Sequence, residues 1–211
     1  MKTSSASKVR ELYDSSVESY AQMMDSEIEL PVYGEILARL KKRISDVEGC
    51  LLDTSCGTGH LLELYHRKFD SQRALAGIDL SRSMVENSRV RIGSHANIQV
   101  GDMRDLSDRT PRSLSAILSF FAVHHLNPSE VPSTLDAWFR ILNRRGQLIV
   151  GAWEGSGTID YGESSDVIAV RYTKDELATW FNAAGFNVDR CWVEDVEGFS
   201  MKALYLEGSK K

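Results

Sequence analysis

The stretch CLLDTSCGTGHLLELY, Cys50 to Tyr65, sets a carboxylate, a hydroxyl and two glycines (Asp53, Ser55, Gly57 and Gly59) between an apolar run and an amphipathic one. Small residues at that spacing free backbone N–H groups and let another molecule lie close to the main chain. Two further acids occupy comparable positions. Asp79 ends the apolar run ALAGIDL, and Asp102 follows NIQV in GDMRDL. A carboxylate about twenty residues beyond a glycine turn is placed to accept hydrogen bonds from ribose hydroxyls. The ordered set describes a crevice for a nucleoside. A dinucleotide is disfavoured, because the G-x-G-x-x-G pattern counted from Gly57 meets Leu62 where its third glycine belongs.

These residues need rigid elements to bring them to one edge. From Cys50 onward β-rich runs (CLLDT, ALAGIDL, NIQVGD, LSAILSFFAV, GQLIVGAW) alternate with helical patterns (GHLLELYHRKF, SRSMVENSRVRI and Val131 to Leu142). Nearly continuous apolar strands in such alternation predict an α/β fold with a parallel sheet covered on both faces. Upstream, Val9, Leu12, Tyr13, Val17, Tyr20 and Met24 recur at helical spacing, and a second stripe follows Pro31, so two helices are expected there. Downstream, Thr173 and Glu176 form a capping box and Gly185 ends the helix. FNVDRCWVED and SMKALYLEG, joined by a short link holding Glu197 and Gly198, can pair only as an antiparallel hairpin. EGSGTIDYGESSD, Glu154 to Asp166, is the candidate functional loop. No internal repeat or second domain is visible.

The chain has 211 residues, 42% hydrophobic and 26% charged, which suits one globular domain and excludes disordered and fibrous classes. Its net charge of −5 gives no bulk basic character for nucleic acid. RLKKR, Arg39 to Arg43, reads as the wet face of a helix whose stripe is Ile36, Leu37, Leu40 and Ile44. Three cysteines without a C-x-x-C argue against a disulfide framework or a zinc site, and Cys50 and Cys191 are expected in the core. The first residues carry no apolar signal region and no stretch approaches ~18 apolar residues, so the expected address is cytoplasmic, with no membrane span.

LLDTSCGTGHLL, GIDLSRSM, GDMRDL, ILSFFAVHHL and ILNRRGQLIVGAW resemble the successive motifs of class I S-adenosylmethionine-dependent methyltransferases, the small-molecule branch most of all, over residues 9 to 208. The resemblance implies a three-layer, doubly wound Rossmann-like sheet of seven strands with an antiparallel C-terminal hairpin strand. It implies one domain over 1–211: lid helices in 1–48, a cofactor core in 49–154, and a substrate loop, helix and hairpin in 155–211. The cofactor would be S-adenosyl-L-methionine, leaving as S-adenosyl-L-homocysteine. By the same resemblance Asp53 and the Ser55–Gly59 turn face its methionine end. Asp79 takes the ribose hydroxyls beside Leu80 and Met84, Asp102 the adenine amino group, and Met103 the ring. Phe120 and Phe121 border the sulfonium, and Tyr13 and Tyr20 belong to a covering helix. The family usually has glycine at Ser55, which a serine can replace if φ stays negative.

Each position also has a plain structural reading. Asp53 could cap the turn, Asp79 could precede a helix starting at Ser81, and Asp102 could belong to a polar loop with Asp105 and Asp108. Met84 and Met103 could be core, and alternation along a strand would leave one of Phe120 and Phe121 merely packing. His124 and His125 are candidate bases, with packing at a strand end as the competing role, and no metal set surrounds them. Trp153, Tyr161, Arg171 and Tyr172 follow the fifth strand as substrate candidates, although Arg171 could pair with Asp175 or Glu176 instead. Glu154, Asp160, Glu163 and Asp166 could attract an amine or simply be solvated. The expected function is methyl transfer by in-line displacement to an O, N or S nucleophile of a small-molecule metabolite. The expected partners are that acceptor, no nucleic acid and no membrane, in a monomer or homodimer. The competing readings are an RNA or protein methyltransferase, for which neither an N-P-P-Y segment nor a Pro-Cys nucleophile is present, and a non-catalytic cofactor-binding protein.

Overall fold

The apolar runs become strands, and the turn residues that bound them fall at the sheet's edges. The computed structural model describes residues 2–159, 161, 165–196 and 200–211. Its strands are β1 (Cys50–Asp53), β2 (Leu75–Asp79), β3 (Ala96–Val100), β4 (Leu114–Phe120), β5 (Leu142–Glu154), β6 (Thr158–Ile159), β7 (Ala169–Val170), β8 (Phe186–Asp195) and β9 (Lys202–Lys210). Seven of them form one sheet in the order β3-β2-β1-β4-β5-β9-β8. The first five in that order pair in parallel, and β9 enters antiparallel to both β5 and β8. The expected hairpin is therefore present, with Glu197 and Gly198 of its link outside the described residues. The strand order reverses between β1 and β4, and that switch point is where an open α/β sheet leaves a crevice at its carboxyl edge.

The α-helices are α1 (Ala6–Ser15), α2 (Val17–Glu27), α3 (Pro31–Arg43), α4 (His60–Lys68), α5 (Arg82–Ile92), α6 (Val131–Ile141) and α7 (Lys174–Ala183), with short 3-10 turns at Gly93–His95 and Val123–His125. Strand periodicity divides the interior into two cores. Leu51, Leu118 and Ile149 pack with α3, α4 and α5, whereas their neighbours Leu52, Ile117 and Leu148 pack with α6 and α7. The sheet is thus the middle of three layers, as expected.

Three expectations need correction or addition. The single stripe from Val9 to Met24 is broken into α1 and α2 at Ser16, whose φ of −111° and ψ of 9° leave the helix while its hydroxyl donates to Leu12 O. A helical stripe survives such a break because the flanking turns keep their faces. Cys50 and Cys191 are half-buried at the edge of the core, and Cys56 is the buried thiol. The loop after β5 contains the two-residue pair β6–β7, too short to show a period in sequence. Asp160 and Glu163 of that loop lie outside the described residues. The capping box of α7 and the left-handed Gly185 (φ 97°) that follows it are as expected. Among the described residues no helix is long and apolar enough to cross a membrane.

Candidate active site

Asp53 closes β1 with 2% of its surface exposed, and its Oδ1 accepts the Ser55 N–H at 3.1 Å. The turn then passes through Gly57 (φ 49°) and Gly59 (φ 86°), while Ser55 keeps a negative φ, as a serine at that position requires. The two glycines serve different neighbours. A Cβ on Gly57 would lie 3.1 Å from the Tyr20 ring, and one on Gly59 would lie 2.5 Å from Ser88 Oγ of α5. Asp79, at the end of β2, accepts the Gly57 N–H at 2.8 Å and the Ser81 N–H at 2.9 Å. Ser81 in turn caps α5 through Met84 N. Burial pushes the Asp53 carboxyl up to about 7, against the Ser55 hydrogen bond and with the help of the Asp79 charge. Burial likewise lifts Asp79 to about 6, against the bonds from Ser81 and Gly57. Two carboxyls at the crevice are thus poised near neutrality, where a donor or cation from a ligand would favour their charged forms.

The carboxyl ends of β1, β2 and β4 open into a cavity of about 90 Å³. Tyr13 and Tyr20 cover it, Ser55, Gly57 and Asp79 form its floor, and Leu80, Met84, Met103, Phe120 and Phe121 complete its wall. Asp53 lies next door, in a smaller recess shared with Tyr20, Ser55, Phe120 and Phe121. Met84 and Met103 are core residues and wall residues at once. Both phenylalanines face the cavity, contrary to strand alternation, because β4 ends at Phe120 and Phe121 turns left-handed (φ 49°). Its N–H donates to Gly151 O at 2.7 Å, which holds a conformation costing about 1–3 kcal/mol. The buried Ser55 Oγ has no partner among the described residues, leaving a polar atom at the wall for a ligand. A polar floor and an apolar, sulfur-rich wall fit the two ends of S-adenosylmethionine.

Besides Asp53, two expected cofactor residues stand apart from the wall. Gly59 lies behind it, at the start of α4. Asp102 does not line the cavity: its carboxylate is forked by Arg104, whose Nε and Nη2 approach to 3.0 and 2.6 Å, and Arg104 also reaches Glu130.

The cover is pinned at several points. Asp14 accepts from Ser81 Oγ (2.6 Å) and Ser83 N (3.1 Å) at the start of α5. Asp25 accepts from His60 Nε2 (2.8 Å) and Arg91 (3.1 Å). Tyr13 Oη meets His125 Nε2 at 3.0 Å, His125 Nε2 meets His124 Nε2 at 3.1 Å, and Tyr161 Oη meets His124 Nε2 at 3.2 Å. Burial holds His125 down to about 4 and His124 well below its ordinary value, the neighbouring imidazole adding to the effect on His124. Both rings are therefore neutral near pH 7, and only His125 reaches the cavity. Among the described residues no three metal-ligating side chains come together.

The substrate candidates scatter. Trp153 packs on Phe121 with centroids 4.7 Å apart, and Tyr161 joins the histidine cluster. Tyr172 is buried in the core and donates to Leu126 O at 2.6 Å. Arg171 runs beside Gly155 and Gly157, away from the cavity wall. No ion pair joins it to Asp175 or Glu176 among the described residues, and Glu176 is committed to the capping box. Sequence reasoning missed a larger cleft of about 650 Å³, walled by Tyr20, Tyr33, Phe121, Trp153 and Tyr205. Its trace in the sequence is Trp153, a substrate candidate that lines it, and the apolar Met23 and Leu30 are left exposed near the α2–α3 junction.

Residues 51–146 match the family model described as "Methyltransferase domain". Over 121 residues the chain is 34% identical to the dTDP-3-amino-3,4,6-trideoxy-alpha-D-glucopyranose N,N-dimethyltransferase of Streptomyces venezuelae, covering 56% of this chain and 48% of that protein. It is 28% identical to an uncharacterized methyltransferase of Bacillus mycoides, covering 56% and 55%. The chain spans about half the length of the curated relatives it matches. Its fold is similar to Burkholderia thailandensis 1,6-didemethyltoxoflavin-N1-methyltransferase, solved with 1,6-didemethyltoxoflavin and S-adenosylhomocysteine (TM-score 0.76, 16% identity, 98% of this chain and 88% of that one). It is also similar to magnesium protoporphyrin IX methyltransferase from Synechocystis PCC 6803, solved with bound SAM (TM-score 0.71, 14% identity, 98% and 97%). Residues 51–146 thus match a methyltransferase domain, and the fold around them is similar to that of solved S-adenosylmethionine-dependent methyltransferases.

Proposed function

We propose that the protein transfers a methyl group from S-adenosylmethionine to an O, N or S nucleophile of a small-molecule metabolite. The observation that carries this reading is convergence: ten side chains or glycines named by separate sequence motifs line one cavity at the switch point of the sheet. Asp79 would accept from the ribose hydroxyls, with Leu80, Met84 and Met103 against the adenosine. Asp53 and the Ser55–Gly59 turn would hold the methionine end, and Phe120 and Phe121 would border the reacting centre. When bound, the cofactor would supply an electrophilic methyl carbon: the acceptor's lone pair would form the new bond from the side opposite sulfur, and the electron pair of the broken C–S bond would stay on sulfur.

The protein's own contribution is alignment and dryness. Tyr13 and Tyr20 close the cavity from residues 1–48, over the core of 49–154, while the acceptor would meet residues of 155–211. Holding two atoms in line can lower a barrier by up to ~7–11 kcal/mol, so no dedicated base is needed for a nucleophile that is already unprotonated. Neutral His125, held down to about 4, is a weak base, and its bond to Tyr13 suits it better to fixing the cover. Calorimetric titration with S-adenosylhomocysteine, NAD and ATP tests the cofactor, with binding of the first alone expected. Equal binding of NAD would overturn the reading. Labelled methyl transfer to a metabolite panel, set against tRNA and histones, tests the acceptor class, and turnover on either macromolecule alone would exclude a small-molecule acceptor.

A further inference from the structure

The larger cleft adjoins the cofactor cavity, and Tyr20 and Phe121 belong to both walls. Aromatic rings continue outward from that junction. Phe121 lies edge-to-face with Tyr205 at 6.1 Å and packs on Trp153 at 4.7 Å. Phe120, behind them, is 5.8 Å from Tyr33 and 6.3 Å from Tyr205. Met23 and Leu30, 42% and 44% exposed, extend the apolar surface to the mouth. Around it stand Glu27, Glu35, Glu194 and Asp195, and no lysine or arginine lines the cleft among the described residues.

The four acids are not equivalent. Glu35 lies 3.7 Å from Arg39, Glu194 accepts from the Trp192 indole at 2.8 Å, and Asp195 pairs with Lys202 at 2.9 Å. Glu27 has no ion pair among the described residues. Burial holds the Tyr33 phenol above its ordinary range and the Glu27 charge adds to it, while at Tyr205 burial, Tyr33 and Glu194 come before Glu27. Of the four, only Glu27 has neither an ion pair nor a side-chain hydrogen bond among the described residues, and it lines the same cleft as those rings. Ring faces and a carboxylate together favour a cation on an apolar frame, and they repel phosphate or carboxylate.

Resting on the methyltransferase reading above, we propose that this cleft is the acceptor site and that it selects aryl-alkyl amines. The ring would lie among Tyr33, Trp153 and Tyr205, and the ammonium group would be held by Glu27. In this arrangement the ammonium is the anchor and carries no lone pair for the methyl group, so the methylated atom is another nucleophile of the acceptor.

The test is calorimetric titration of the full chain saturated with S-adenosylhomocysteine, using charge-reversed pairs: tryptamine against indole-3-propionate, and tyramine against 3-(4-hydroxyphenyl)propionate. Each amine is expected to bind at least roughly tenfold more tightly than its carboxylate partner, a difference that Glu27→Gln reduces roughly fivefold. S-adenosylhomocysteine binding and the melting temperature of the variant show that it remains folded. Equal or tighter binding of the carboxylates, an undiminished preference in the variant, or no binding of either pair would overturn the proposal. Failure of S-adenosylhomocysteine to bind the unaltered protein would instead overturn the methyltransferase reading beneath it.

Discussion

The cavity at the switch point and the cleft beside it share two residues, Tyr20 and Phe121, and differ in almost every other respect. The cavity is made of turns that begin where β1, β2 and β4 end, and its carboxylates are buried and hydrogen-bonded to the backbone of those turns. The cleft is made where α2 and α3 meet the β8–β9 hairpin, and its carboxylates stand at the surface, with apolar side chains exposed between them. Locked backbone suits a ligand common to a whole family. Exposed side chains on separate elements can change without disturbing the sheet, which suits a partner that differs from one member to the next.

The two glycines test how far the locked side of this comparison extends. Gly59→Ala places a methyl group 2.5 Å from Ser88 Oγ at φ 86°, and is expected to cost about 2–4 kcal/mol, read as a fall in melting temperature. Gly57→Ala, at φ 49° beside the Tyr20 ring, is expected to cost about 1 kcal/mol of stability and to weaken S-adenosylhomocysteine roughly tenfold. If the two variants melted and bound alike, the division between packing glycine and ligand glycine would be wrong.

Acidity sharpens the comparison further. Asp53 and Asp79 have folded values of about 7 and about 6, above those of an unfolded chain. From about pH 4 to 7 the folded state holds more protons, so these two groups make the ligand-free protein less stable as pH rises. Ribose hydroxyls donate best to an ionised carboxylate, so affinity for S-adenosylhomocysteine should move the other way, gaining roughly tenfold from about pH 5 to pH 8. Asp79→Asn should flatten most of that gain in calorimetric titrations. A flat profile in the unaltered protein would mean that neither carboxyl meets the ligand.

The smallest effect is expected at Asp102→Asn. With the carboxylate forked by Arg104 and off the cavity wall, the change should alter affinity by less than about threefold. A loss above about tenfold would return Asp102 to the adenine contact that the family resemblance implies.

That Ser55 and Gly57 would reach the crevice, with Asp53 in the recess beside it, was legible because turn chemistry is local, and Asp79 was legible because it ends the next apolar run. Asp102 resembled them in sequence, yet Arg104, two residues on, captures it. Tyr172 followed a strand as a pocket residue would, but Leu126 O, brought in by the fold, draws its hydroxyl into the core. Phe121 read as an ordinary strand position, and only its hydrogen bond to Gly151 on β5 holds it in the left-handed turn that puts two rings in one cavity.

By itself the sequence determined the alternation of strands and helices, the antiparallel close of the sheet and the glycine turn after β1, because periodicity and glycine placement act between near neighbours. The tertiary structure alone decided which acid stays unpaired, which aromatic rings meet and where an acceptor could lie. Those outcomes depend on segments such as α2 and β9 that come to line one cleft only after the chain has folded, and no local pattern encodes that meeting.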